Sequence, residues 1–144
     1  MVIDKSALRA RFERLEQCAR WVREALAGVD EQAYLKDLLL QAAIERNLQI
    51  ISQIVLDVGT HIIAEQGWEG PEIYEEVVEI LGRHGAISQS LARRLRGMAG
   101  FRNVLVHEYL KIDPRIVYEV ATQRLDDYLQ FAREIAEWME RAEG

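Results

Sequence analysis

The stretch "RNVLVHEY", Arg102 to Tyr109, gathers residue types that can do chemistry. An imidazole exchanges protons near neutral pH, and a guanidinium matches the oxygens of an anion such as phosphate in pairs. On a helix, Leu91, Leu95, Met98, Arg102, Leu105 and Tyr109 share one face, so Arg102 falls in the middle of an apolar stripe. An unpaired guanidinium is costly to bury. Three environments are open to it: a carboxylate partner, with Glu45 of the otherwise apolar second helix the candidate, an interface between two chains, or a cleft. His107 stands about 140° round an ideal helix from Arg102. The two meet only through a long arginine side chain, distortion near Gly97 and Gly100, fraying before Pro114, or a second chain that supplies half of the site.

Arg93, Arg94, Arg96, Arg102 and Lys111, less Glu108, give this region a local charge of +4 in a chain of net charge -6. The chain as a whole would repel a polyanion, so any nucleic-acid role must come from a local patch of this kind. Elsewhere the side chains have plainer uses. His61 and His84 read as helix-surface and helix-end residues, and three histidines and one cysteine at no ligand spacing predict no metal and no cofactor. Glu75, Glu76 and Glu79 form a solvated acidic face, Trp21, Trp68 and Trp138 serve packing or interfaces, and Cys18 fills core. No phosphate-binding, dinucleotide or nucleophile-elbow motif is present.

The elements that must position the motif follow from apolar periodicity. Leu8, Phe12, Leu15, Ala19, Val22 and Leu26 give a first helix, with Asp4 or Ser6 as N-cap and Gly28 as stop. A longer stripe runs from Asp30 through Leu35, Leu38, Ala42, Leu48, Ile51, Val55, Val58 and Ile62 towards Gly67, with a bend expected at Gly59. Pro71 then suits the first turn of a short helix through Ile73, Val77 and Ile80. The fourth helix starts near Ser88 or Ser90 and runs through "ISQSLARRLRGMAGFRNVLVHEYL". Asp113 and Pro114 open the fifth, whose stripe is Val117, Ala121, Leu125, Tyr128, Ala132, Ile135 and Met139.

With no strand-like alternation, the expectation is an all-α antiparallel bundle of four to five helices, one domain over residues 1–144. Its 144 residues, 49% of them hydrophobic, suffice for a core. The N-terminus turns charged by its fourth residue and no run reaches the ~20 apolar residues of a membrane span, so a cytosolic protein without membrane association is expected.

An arginine, four residues, a histidine, one residue and a tyrosine, here Arg102, His107 and Tyr109 with Asn103 after the arginine, on the fourth helix of a small all-α chain, resemble the HEPN superfamily. More narrowly, the chain is similar to the HepT-type toxins over nearly its whole length, including "YLKDLLLQAAIERNLQIISQIVLDVG" in the second helix. The resemblance implies a metal-independent endoribonuclease acting on RNA as a homodimer, with Arg102 and His107 of both subunits lining a cleft at the interface. It implies that His107 handles the proton, Arg102 stabilises charge developing on phosphorus and Asn103 helps orient substrate or histidine. It also implies a partner, a minimal nucleotidyltransferase antitoxin that silences the toxin by placing AMP on Tyr109. The alternative within the same family is a non-catalytic module that binds nucleotide or substrate for a nucleotidyltransferase.

Overall fold

A computed structural model describes residues 4–143; the first three residues, part of the N-terminal segment read above, lie outside them. Helix α1 (Lys5–Leu26) begins where the Asp4 carboxylate accepts the Ala7 N–H at 3.1 Å. That resolves the choice of cap in favour of Asp4 over Ser6. Its expected stripe is buried apart from Phe12, which is partly so, and Cys18 sits wholly inside.

The second stripe is divided. Helix α2 (Glu31–Lys36) stops at Asp37, whose extended backbone and side chain restart the chain as α3 (Leu38–Gln66), with Oδ1 accepting the Leu40 N–H at 3.0 Å. An aspartate that caps the next turn competes with continuation of the previous one. The restart leaves Leu38 and Leu39 exposed, Leu38 contrary to its place in the stripe. From Ile44 onward α3 is the axis of the molecule, packing on α1 most extensively and on four later helices. It ends at Gly67, which takes a left-handed φ of 69° while the N–H groups of Gly67 and Trp68 return to Ala64 and Ile63.

Helix α3 runs unbroken through Gly59, whose role is a close approach. A Cβ there would lie 2.5 Å from Val77 Cγ1 and 3.1 Å from Leu81 Cδ1, so the glycine is the seat on which α4 (Val77–Arg83) rests against α3. Pro71 also lies outside any helix. A 3-10 turn at Tyr74–Glu76 leads into α4, because the chain must cross from the end of α3 before Val77 can be buried.

The fourth stripe is two helices, α5 (Gln89–Arg94), capped by Ser88, and α6 (Met98–His107), joined by a tight turn. The last forms as expected: Asp113 caps, Pro114 is the first helical residue, and α7 (Pro114–Glu119) passes through a π-helical segment at Val120–Arg124 into α8 (Leu125–Glu143). All seven residues of its stripe are buried.

The fold is therefore all-α, with no strand among the described residues. Its core lies where α3 meets α1, α6 and α8. Phe131, Ile135, Leu15, Leu48 and Ile51 are fully buried, each contributing roughly 1.5–3 kcal/mol. Two tyrosines mark its polar limits. Tyr128 is buried and accepts from the Ser52 hydroxyl at 3.4 Å, whereas the buried Tyr34 hydroxyl has no partner among the described residues. Among the described residues no helix is long and apolar enough to cross a membrane.

Candidate active site

Helix α6 carries the motif, and its packing on α3 decides what each residue faces. Arg102 is half-buried, and its Nε donates to Gln53 Oε1 at 2.7 Å. Gln53 in turn donates through Nε2 to Asp57 Oδ1 at 2.7 Å, one turn further along α3. The guanidinium carbon lies 5.5 Å from the centroid of the Tyr74 ring, within the range of a cation–π contact. Arg102 opens onto a cleft, a cavity of about 580 Å³ lined by Thr60, Pro71, Glu72, Tyr74, Asn103 and Arg102 itself, among others.

Glu45 is not its partner. The described ion pairs do not include Arg102, and Glu45 sits two turns before Gln53 on α3, where burial raises its carboxyl above the ordinary range. Among the described residues neither terminal nitrogen of Arg102 has a hydrogen-bond partner, so both remain for a ligand. Glu72 and Glu75 line the same cleft, and Arg102 is the one cation among its lining residues. The cleft thus offers an anion that one guanidinium and no broad positive surface.

The basic run is split by the turn between α5 and α6. Arg94 is held by Asp127 at 2.9 Å, with Ser90 and Gln130 at 2.7 Å, and Arg96 pairs with Glu79 at 3.5 Å. These arginines line a different cleft, of about 520 Å³, together with Met98 and Phe101. The expected +4 patch thus does not surround Arg102, since much of it is neutralised by the chain's own carboxylates.

His107 is the last residue of α6, exposed, and without a side-chain hydrogen bond among the described residues. Because α6 is a regular α-helix from Met98 to His107, Arg102 and His107 stay about 140° and about 7.5 Å of rise apart. No distortion at Gly100 brings them together. Asn103, one turn before His107, shares its side of the helix and also lines the Arg102 cleft. The helix then stops: Glu108 takes φ -130° and ψ 48°, and Tyr109 opens a separate 3-10 turn at Tyr109–Lys111. Tyr109 is therefore not one helical turn on from Leu105. It lies beyond the end of the helix, 73% exposed, beside Leu110, 87% exposed.

The sequence did not single out Gln53, Asp57 or Tyr74. The signal for the first two was two polar residues one turn apart in an apolar helix; Tyr74 gave none. Trp68 and His84 stack at 4.1 Å with Trp138 tilted at 5.8 Å from Trp68, which confirms helix-end packing for His84. Among the described residues no group of three or more histidine, cysteine, aspartate or glutamate side chains could hold a metal ion.

Comparison with known proteins gives a consistent result. A family model described as Ribonuclease HepT-like matches residues 15–135. An mRNA nuclease HepT of Shewanella oneidensis is 27% identical over 117 residues, covering 81% of this chain and 86% of that protein. A tRNA nuclease HepT of Aphanizomenon flos-aquae is 30% identical over 129 residues, covering 88% and 87% respectively. The fold matches that of a tri-AMPylated Shewanella oneidensis HEPN toxin solved in complex with MNT antitoxin, with TM-score 0.83, 24% identity and coverage of 94% of this chain and 99% of that one.

Proposed function

The chain belongs to the ribonuclease HepT-like family, and from that premise we propose that it is a metal-independent endoribonuclease toxin acting in the cytoplasm as a single-domain subunit of a homodimer. The observation that carries this is the disposition of α6: Arg102 presents two unpaired nitrogens to a cleft, while His107 stands exposed on another side of the same helix. One copy alone does not assemble an acid–base group against a phosphate clamp. Two copies meeting across α6 give each arginine the other's histidine.

In such a site the 2′-hydroxyl of RNA attacks the adjacent phosphorus, a bond forms from the 2′-oxygen to phosphorus, and the bond to the 5′-oxygen breaks. His107 takes the 2′ proton, and the dimer holds a second imidazole able to protonate the leaving oxygen. Arg102 offers its paired nitrogens to the non-bridging oxygens as charge develops on them. Asn103, lying between the two on the helix surface, orients substrate or imidazole.

Tyr109 is the point of control. Its exposed hydroxyl suits modification with AMP by a nucleotidyltransferase antitoxin, and the added phosphate would bring negative charge and bulk to the end of α6. The alternative, a module that binds nucleotide without cutting, differs in one observable. Purified protein free of a Tyr109 adduct, as checked by mass spectrometry, is mixed with RNA in excess EDTA and compared with His107→Ala. The wild type is expected to cut and the variant to lose about 100-fold or more in rate. A wild type that leaves RNA intact, or a variant that cuts equally well, overturns the proposal.

A further inference from the structure

We infer that Gln53 is a positioning residue for Arg102, itself held by Asp57, and that its being an amide rather than a carboxylate is what keeps the arginine available to phosphate; this rests on the ribonuclease function proposed above. The observations are geometric. Arg102 Nε to Gln53 Oε1 and Gln53 Nε2 to Asp57 Oδ1 are both 2.7 Å, and the two bonds fix each other. Rotating the amide by 180° would set a donor against Nε and an acceptor against a carboxylate, losing both bonds at once. Asp57 therefore dictates which atom Gln53 shows to Arg102.

The arrangement constrains two sides of the guanidinium and leaves a third open. Its inner edge is taken by Gln53, one face lies over Tyr74, and its paired terminal nitrogens are left without partners among the described residues. That outer edge is the one that grips a phosphodiester in two-point fashion. A flexible side chain with several rotatable bonds is thus fixed before substrate arrives, which lowers the entropy cost of binding in a single pose.

The chemical identity of the relay matters as much as its shape. Had α3 placed a carboxylate where Gln53 stands, Arg102 would form an ion pair and a phosphate would have to compete with it. An amide accepts one hydrogen bond while carrying no charge, so the guanidinium keeps its full charge for the substrate. The negative end of the relay, Asp57, is exposed to solvent and separated from Arg102 by the whole amide.

The test uses full-length protein and two readouts. Cleavage of single-stranded RNA in EDTA is measured for Gln53→Leu, Gln53→Glu, Asp57→Leu and Asp57→Asn, and the affinity of a short fluorescein-labelled single-stranded RNA is measured for the same variants carrying His107→Ala. Thermal melts normalise each rate to folded protein. Gln53→Leu and Asp57→Leu are expected to lose about tenfold or more in kcat with a smaller change in KM. Asp57→Asn, which keeps an oxygen acceptor for Gln53, recovers most of that loss. Gln53→Glu holds Arg102 in place but neutralises it, so it weakens RNA affinity more than Gln53→Leu does. In an Arg102→Lys background, which has no Nε, Gln53→Leu has no further effect.

Wild-type kcat in Gln53→Leu, or a loss that multiplies unchanged with that of Arg102→Lys, overturns the inference while the ribonuclease function stands. If the wild type does not cut RNA at all, the ribonuclease function fails instead. The relay is then judged on affinity alone: it holds if Gln53→Glu binds more weakly than Gln53→Leu and both more weakly than the parent, and falls with any other order.

Discussion

Replacing Gly59 by alanine tests how the end of α3 sets the floor beneath Arg102. The new Cβ would lie 2.5 Å from Val77 Cγ1, about 0.9 Å short of ordinary contact, and 3.1 Å from Leu81 Cδ1. Val77 is fully buried and β-branched, so it has no free rotamer to retreat into and α4 itself must shift. Overpacking of this kind costs about 1–3 kcal/mol, while alanine gains up to about 1 kcal/mol over glycine within a helix. The clash wins, and the net loss of about 1 kcal/mol corresponds to roughly 3–4 °C in Tm for a chain of 144 residues. Since Val77 directly follows the turn that carries Tyr74, RNA cleavage should fall as well. The measurement is urea unfolding of Gly59→Ala, Val77→Ala and the double variant. Removing the Val77 methyl groups opens the space that the new Cβ needs, so the double variant should be more stable than the sum of the two by about 1 kcal/mol or more. A Gly59→Ala protein as stable as wild type, or strict additivity with Val77→Ala, would refute the close-approach account.

Two further outcomes concern pH. Burial pushes the Tyr128 hydroxyl up to about 12, against about 10 in an unfolded chain, so the neutral phenol's contribution is whole below pH 10 and is lost as pH rises through 12. Tyr128→Phe should therefore be about 1 kcal/mol less stable at pH 7, where Ser52 loses its acceptor, yet more stable than wild type at pH 12, where wild type has lost roughly 2 kcal/mol; melts whose order does not reverse contradict this. The Glu134 carboxyl is pushed up by partial burial, but hydrogen bonds from Gln130 and from the Ser88 N–H and hydroxyl, with Arg94 nearby, outweigh it and hold the group below its ordinary value. Its stabilisation is present above pH 4.5 and lost as pH falls, so the stability gap between wild type and Glu134→Gln should narrow from pH 7 to pH 3; an unchanged gap in urea midpoints would count against it.

Long-range packing was legible in the sequence wherever burial alone decides. The stripes of α1 and the last helix are buried almost residue for residue, and Asp4, Asp113 and Pro114 act as caps because their chemistry is local. Interruptions were harder to read. Asp37 divides the second stripe, and the turn after Arg94 divides the fourth, because each is a contest between two adequate local structures that tertiary packing settles. Gly59 signals either a bend or a close neighbour, and only the position of Val77 distinguishes them. Arg102 was identifiable as anomalous from its place in the stripe. Its partner was not: Glu45 and Gln53 lie on the same helix, and the alignment of α6 along α3 chooses between them. The same alignment sends the neighbouring arginines to a separate cleft, which no count of charges could reveal.

The π-helical segment at Val120–Arg124 gives the last helix one place where a change of length is absorbed. Its wide turn holds one residue more than a regular turn, and that surplus lets Val117 and Tyr118 pack against the α2 side while Leu125, Tyr128 and Phe131 point into the core. Deleting a single residue between 120 and 124 would let the chain relax to an ordinary helix, and because the residue removed is the surplus one, the parts before and after would keep their relative rotation, with the Tyr118 hydroxyl on the Val29 carbonyl and α8 in the core. Deleting one from the regular turns of α8 would instead rotate everything after it by about 100° relative to everything before, and one side or the other would lose its place in the core. Lineages of this protein are therefore expected to tolerate a one-residue loss within 120–124 and not along α8.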